Sequence, residues 1–190
     1  PTVDIEHIAK EKSVLFITSS PVNPSLHQFI GAFYSCLFKT LFEFAEECPD
    51  GKLPIPVHVL CDDFATGCRV NQFEDLISIF REKQISATIL VQSESQLETM
   101  YGSDATTTII NNSDTYVYVG GNDLRTARNI SERLNVPLDE VLYMPVGQAI
   151  IFRRGQKPIA FRHRYDILHD KRYQKITKQY EKMIVSDDDR

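Results

Sequence analysis

The chain is 190 residues long, 42% hydrophobic and 25% charged, which suits one soluble globular domain with a sizeable core of its own. Its 26 acidic side chains outnumber 21 Lys and Arg, and a formal net charge of −5 excludes a surface that binds nucleic acid over its whole extent, though not a local basic face. No apolar run approaches the roughly 20 residues needed to span a bilayer; the longest candidate, residues 29–44, is interrupted by Ser35 and Lys39.

In chain order the pattern alternates strand and helix, as an α/β fold requires. Residues 13–18 (SVLFIT) read as a buried strand, after which Asn23 or Ser25 offers an N-cap for a helix over 26–47. Pro49-Asp50-Gly51 breaks that helix. A β-favouring run, residues 55–61, then leads to two adjacent carboxylates, Asp62 and Asp63. A loop containing Gly67 and a helix over 72–83 follow, then a third strand over 86–92 that ends on Gln92. Short helices at 94–100 and 105–110 precede a fourth strand at 115–119, and Gly120-Gly121-Asn122-Asp123 turns into a helix reaching Leu134. Residues 148–153 and 158–162 flank Arg154-Gly155-Gln156-Lys157 as a β-hairpin. The stretch 166–190 is polar and reads as a short helix with a frayed tail, 174–190 being partly disordered. There is no repeat and no low-complexity linker, so residues 1–190 are expected to form a single domain.

Such a pattern implies a mostly parallel sheet covered by helices on both faces, with ligands bound beyond the carboxyl ends of the strands. That rule gathers Asp62, Asp63 and Gln92 on one edge. Ionised carboxylates at a core strand's end are costly to bury without a partner and point to a metal or a proton. In P-loop nucleotide hydrolases an acidic residue there holds Mg²⁺ and a neighbour orients the attacking water. A Gln amide, which both donates and accepts, can orient water or sense a phosphate, or simply cap backbone groups. Yet no G-x-x-x-x-G-K-[ST] occurs in these 190 residues. Cys36, Cys48, Cys61 and Cys68 lack C-x-x-C spacing and read as reduced thiols of a cytosolic setting. Gly120-Gly121 reads as a tight turn. A basic cluster (Arg153, Arg154, Lys157, Arg162, His163, Arg164, Lys171, Arg172) reads as a solvated edge, with DNA contact as the functional alternative. The chain opens on Pro1 without an initiator Met, as expected of a processed product or an excised segment.

Residues 56–65 (PVHVLCDDFA) followed by 69–76 (RVNQFEDL) resemble the strand–DEFA–x–x–G–x–I–P–x–F–x–x–L signature of type IV coupling proteins, the TraG/TraD-like RecA-type ATPases of conjugation and type IV secretion. The likeness continues, in order, through 92–97 (QSESQL), Tyr101-Gly102, 110–114 (INNSD), 119–123 (VGGND) and 154–158 (RGQKP), and runs from about Lys12 to Tyr173. It implies the C-terminal part of a RecA-like motor domain, incomplete because the phosphate-binding loop lies upstream in that family.

The resemblance also implies roles. Asp62 matches the carboxylate that organises Mg²⁺ on the nucleotide. Asp63 stands where the family has Glu as presumed general base, one methylene shorter. Gln92 matches the γ-phosphate-sensing Gln. Arg81 matches a basic residue proposed to act across the subunit interface, with Arg69 a second candidate; a solvated cation in the last helical turn is the plain alternative for Arg81. The implied protein is an ATP- and Mg-dependent hexameric ring that brings single-stranded DNA and relaxosome proteins to a secretion channel. It would sit at the cytoplasmic face of the bacterial inner membrane, anchored by upstream segments. The chain by itself is expected to be soluble, monomeric and inactive on ATP. A free-standing, non-catalytic RecA-like module that binds a partner or transfer substrate is the alternative.

Overall fold

The computed structural model describes residues 4–18, 26–66, 68–162 and 170–177. It has the expected α/β character, a small parallel sheet with helices and a C-terminal antiparallel hairpin. After the short helix α1 (Ile5–Lys10), the long helix α2 (His27–Glu47) buries Leu37, Phe38, Leu41 and Ala45, residues three to four apart that form one stripe. The expected N-caps of α2, Asn23 and Ser25, lie outside the described residues, as does Gly67.

Strand β1 (Val57–Cys61) pairs in parallel with β2 (Ile85–Ile89), Val57 opposite Ile85 and Cys61 opposite Ile89. Helix α3 (Phe73–Ile79) and a 3₁₀ turn (Phe80–Lys83) make the crossover. The chain then continues through α4 (Glu94–Tyr101) and α5 (Ser103–Asn112). Val57, Val59 and Cys61 face the core with Ile85, Ala87 and Ile89. Against them packs an aromatic cluster: Phe38 lies 4.8 Å from Phe80, Phe64 lies 4.7 Å from Phe73, and Tyr101 stacks on Phe64 at 5.6 Å between ring centroids. Each of these rings stabilises by roughly 1.5–3 kcal/mol through burial, and together they fix α2, α3 and α4 around the end of β1.

Two expectations about strands are corrected. Residues 13–18 carry the β-branched, apolar composition of a strand, but among the described residues they pair with no other strand, and Val14 and Phe16 are 77% and 85% exposed. Propensity describes a pleated, half-buried surface, and a strand needs a neighbour to supply the ladder. The strand near residue 115, β3 (Thr115–Tyr118), joins no parallel sheet. It pairs antiparallel with β4 (Gln148–Arg153), which pairs in turn with β5 (Ile159–Arg162). Helices α6 (Leu124–Leu134) and α7 (Leu138–Leu142) cover this second sheet through Ala127, Ile130 and Val141, packed on Tyr118, Ile150 and Phe152. Residues 171–177 are helical, and 178–190, where the frayed tail was expected, lie outside the described residues.

One glycine is required by a close approach. A Cβ on Gly31 of α2 would stand 2.6 Å from the Arg69 carbonyl oxygen, in the loop that follows Asp62 and Asp63. In an exposed helix Gly→Ala stabilises by up to about 1 kcal/mol, whereas here the obstacle is backbone and cannot rotate away. Gly31→Ala is therefore expected to destabilise the chain by about 1–3 kcal/mol. Thermal denaturation checks this, and a raised melting temperature would contradict the packing.

Candidate nucleotide-facing site

Leu90 N donates to Cys61 O at 2.9 Å, and Phe64 N donates to Leu90 O at 2.9 Å, so the β1–β2 ladder continues past both strand ends. The Asp62–Asp63 turn is held between these bonds. Its geometry is tight: Asp63 has φ of 48°, Asp62 Oδ1 accepts from Asp63 N at 3.1 Å, and Asp63 O accepts from both the amide and the hydroxyl of Thr66 at 2.9 Å. The left-handed region is several-fold richer in Asp and Asn than in longer side chains. That is a conformational reason for Asp at this position. Both carboxylates are exposed.

Gln92 arrives from the neighbouring segment, three residues beyond the end of β2 at Ile89 and not within the strand. Its Nε2 donates to Asp63 Oδ1 at 3.5 Å, a long bond, and its Oε1 accepts from Gln96 Nε2 at 3.1 Å. Asp62, Asp63 and Gln92 thus share the carboxyl-end edge of the parallel pair. The two cationic candidates do not join them. Arg69 lies on the loop with its guanidinium over the Tyr101 ring at 5.4 Å. Arg81 sits exposed in the 3₁₀ turn that precedes β2, where Gln84 O accepts from Val57 N at 3.1 Å. It is therefore at the opposite end of the strands, on the order of 15 Å away by strand rise.

Magnesium in nucleotide sites needs only one or two protein carboxylates, with phosphate and water oxygens completing its shell. Asp62 and Asp63, adjacent and exposed, fit that requirement. No group of three His, Cys, Asp or Glu suited to a metal occurs among the described residues. Cys61, next to the pair, is a buried thiol pushed up to about 11 chiefly by burial, so it is neutral at physiological pH. The loop beyond the pair is fixed by the Tyr101 hydroxyl, which accepts from Val70 N at 3.1 Å.

Polar contacts that pattern reasoning did not pick out join α4 to α6. Ser93 caps α4 and Asp123 caps α6. Glu94 N donates to Thr126 Oγ1 at 3.0 Å, Asn129 Nδ2 donates to Glu94 Oε2 at 2.5 Å, and Ser95 Oγ donates to Asp123 Oδ2 at 2.8 Å. Arg125 pairs with Glu98. The local signals were present, an S-x-x-Q at 93–96 and an Asp before 124–134, but each points only to a helix start. Gly120 has a φ of 94°, and a Cβ on it would stand 3.3 Å from Met144 Cε. Arg154 ties the hairpin turn to α5 by donating to Asn111 O at 3.0 Å.

Residues 56–135 match the family described as the TraM recognition site of TraD and TraG. The resemblance to the C-terminal part of a type IV coupling protein is borne out. The matched stretch opens at β1 and closes just past α6, and so contains Asp62, Asp63, Arg69, Arg81 and Gln92. Among solved structures the fold is similar to the plasmid coupling protein TrwB in complex with a non-hydrolysable GTP analogue, at 18% identity and a TM-score of 0.63. TrwB with ADP and Mg²⁺ gives 18% and 0.61, and an unbound form of this bacterial conjugative coupling protein gives 17% and 0.62. In each case 75% of this chain is covered but only 38% of the TrwB chain, so the chain spans about two fifths of these relatives. No protein in the curated comparison matches. No helix of the described residues is long and apolar enough to cross a membrane.

Asp123 gives a pH signature. Bonds from the Thr126 hydroxyl first, then from the Thr126 amide and Ser95, hold its carboxyl below the usual carboxylate range. A depressed folded-state value means stabilisation that is complete above the unfolded value near 4 and lost as pH falls through the folded one. Asp123→Ala should cost about 1 kcal/mol or more near neutrality. The melting-temperature gap from the parent should narrow below about pH 4; a gap that does not change with pH would contradict it.

Proposed function

We propose that this chain is the C-terminal part of the motor domain of a conjugative coupling protein, an ATP-driven hexamer that recruits single-stranded DNA and relaxosome proteins to a secretion channel. The observation that carries this is the meeting of Asp63 and Gln92 beside Asp62, at the carboxyl edge of a parallel pair within the family-matched stretch. In this reading a segment outside the chain supplies the phosphate-binding loop, and the family name makes TraM-like relaxosome proteins the partner class. The whole protein would work at the cytoplasmic face of the inner membrane. TrwB structures with ADP and Mg²⁺ and with nucleotide analogues support nucleotide as the fuel of that class.

Each residue has a distinct task. Asp62 would hold Mg²⁺, which would supply charge neutralisation at the phosphates. Asp63 would accept a proton from water aligned on the terminal phosphate. The Gln92 amide nitrogen, already turned toward Asp63, would fix that water or a phosphate oxygen. Arg81, remote from its own acidic pair, would serve only nucleotide bound by a neighbouring subunit, where an arginine supplied in trans contributes several powers of ten.

In the complete protein, Asp63→Asn should lower turnover by about 10²-fold or more while nucleotide affinity stays nearly unchanged, because a base acts on the chemical step. Asp63→Glu should preserve or raise turnover. Unchanged turnover in Asp63→Asn would overturn the assignment and favour a non-catalytic module. The 190-residue chain alone should show no micromolar ATP affinity by calorimetry, since Asp62 lacks the phosphate ligands and lysine that normally accompany such a carboxylate.

Arg81→Ala should leave the stability of this chain, read by thermal denaturation, within about 0.5 kcal/mol of that of the unsubstituted chain, yet depress hydrolysis in the complete protein. Mixing Arg81→Ala subunits with subunits that retain Arg81 but lack the phosphate-binding lysine should restore part of the activity. Absence of recovery at every ratio, with mixed assembly verified, would rule out action in trans.

A further inference from the structure

Residues 93–96 read S-x-x-Q, the pattern of a helix capping box. Half of that box is formed: Ser93 Oγ accepts from Gln96 N at 3.2 Å. In the complete box the side-chain carbonyl of the Gln reaches back to the backbone N–H of the cap. Here it does not. Gln96 Oε1 is buried and has no hydrogen-bond partner among the described residues. The other end of the same amide, Nε2, instead donates to Gln92 Oε1 at 3.1 Å. An unsatisfied buried carbonyl is uncommon and calls for an explanation.

We propose that Gln96 is a positioning residue for the nucleotide-facing site, holding the Gln92 amide so that its nitrogen, and not its oxygen, faces Asp63 and the phosphate. An amide nitrogen only donates and an amide oxygen only accepts. A donor from Gln96 therefore compels Gln92 to present Oε1 backwards and Nε2 forwards, toward a carboxylate or phosphate oxygen. With the two ends of Gln92 exchanged, Oε1 would lie against the Asp63 carboxylate, two acceptors without a proton between them. Gln96 is itself anchored, since α4 is bound to α6 through the Glu94–Thr126 and Ser95–Asp123 bonds. The direction of donation thus runs one way, from Gln96 through Gln92 to Asp63.

This rests on the role proposed above for Gln92, and the experiment separates the two. Gln96→Glu preserves shape and can complete the capping box, because a carboxylate accepts from the cap N–H and favours a helix N-terminus. It cannot donate to Gln92. A purely structural Gln96 would then give a chain at least as stable and fully active. The expected result is a melting temperature that is unchanged or raised in the 190-residue chain, together with a shifted Gln92 side-chain amide resonance. In the complete protein turnover should fall by about 10- to 100-fold with nucleotide affinity nearly unchanged. The deficit should shrink as pH is lowered toward about 5, where the introduced carboxyl regains a proton to donate. The double variant Gln92→Ala/Gln96→Glu should be no slower than Gln92→Ala. Full turnover in Gln96→Glu alongside an impaired Gln92→Ala, an additive double variant, or an unmoved Gln92 resonance would each overturn the positioning role and leave that of Gln92 standing. Full turnover in Gln92→Ala would overturn both.

Discussion

Two residues 29 apart in the chain, Asp63 and Gln92, face each other because β1 and β2 run parallel and in register to their ends. The register does not stop with the strands. The bonds from Leu90 N to Cys61 O and from Phe64 N to Leu90 O carry it two steps further, so the acidic turn and the glutamine segment leave the sheet already aligned. A slip of one residue would reverse every side chain, exposing the inward set Val57, Val59, Cys61, Ile85 and Ala87. Burial of that set therefore specifies the register, and the register specifies the site.

The core behind the site supplies stiffness. Phe64 directly follows the acidic pair and is sandwiched with Phe73 and Tyr101, so the turn cannot drift without unpacking rings from α3 and α4. Tyr101 adds a hydroxyl that satisfies Val70 N, and Gly31 lets α2 approach the same loop without a clash. Exposed polar groups are held in place by contacts that are themselves mostly apolar.

The two sheets meet through α4 and α6, and this junction is polar where the rest of the packing is not. Glu94 is almost fully buried, yet its carboxylate is bonded to Asn129, and Asp123 collects donors from Ser95 and Thr126. Burying such groups is tolerable only when each has a partner, and partners at fixed directions make a joint specific in angle. Gln92, at the entry to α4, is thereby referenced both to the parallel sheet and to the antiparallel one.

The sequence by itself determined the longer helices, such as α2 and α6, and the strand that ends in Asp62 and Asp63, because these depend on local composition and on the spacing of apolar residues, whereas the short α1 and α7 left no such signal. Motif order likewise made the coupling-protein resemblance legible, with Gln92 and the acidic pair at one strand edge. Apart from the β4–β5 hairpin, whose short turn is a local signal, tertiary structure decided which strands pair. Residues 13–18 and 115–118 look equally strand-like, yet the first finds no ladder among the described residues, and the second joins the hairpin through Tyr116–Phe152 and Tyr118–Ile150. Pairing is a contest among distant partners that no local window records. The same holds for Gln96: its sequence position announces a helix cap, and only the placement of Gln92 beside it turns its amide to another use.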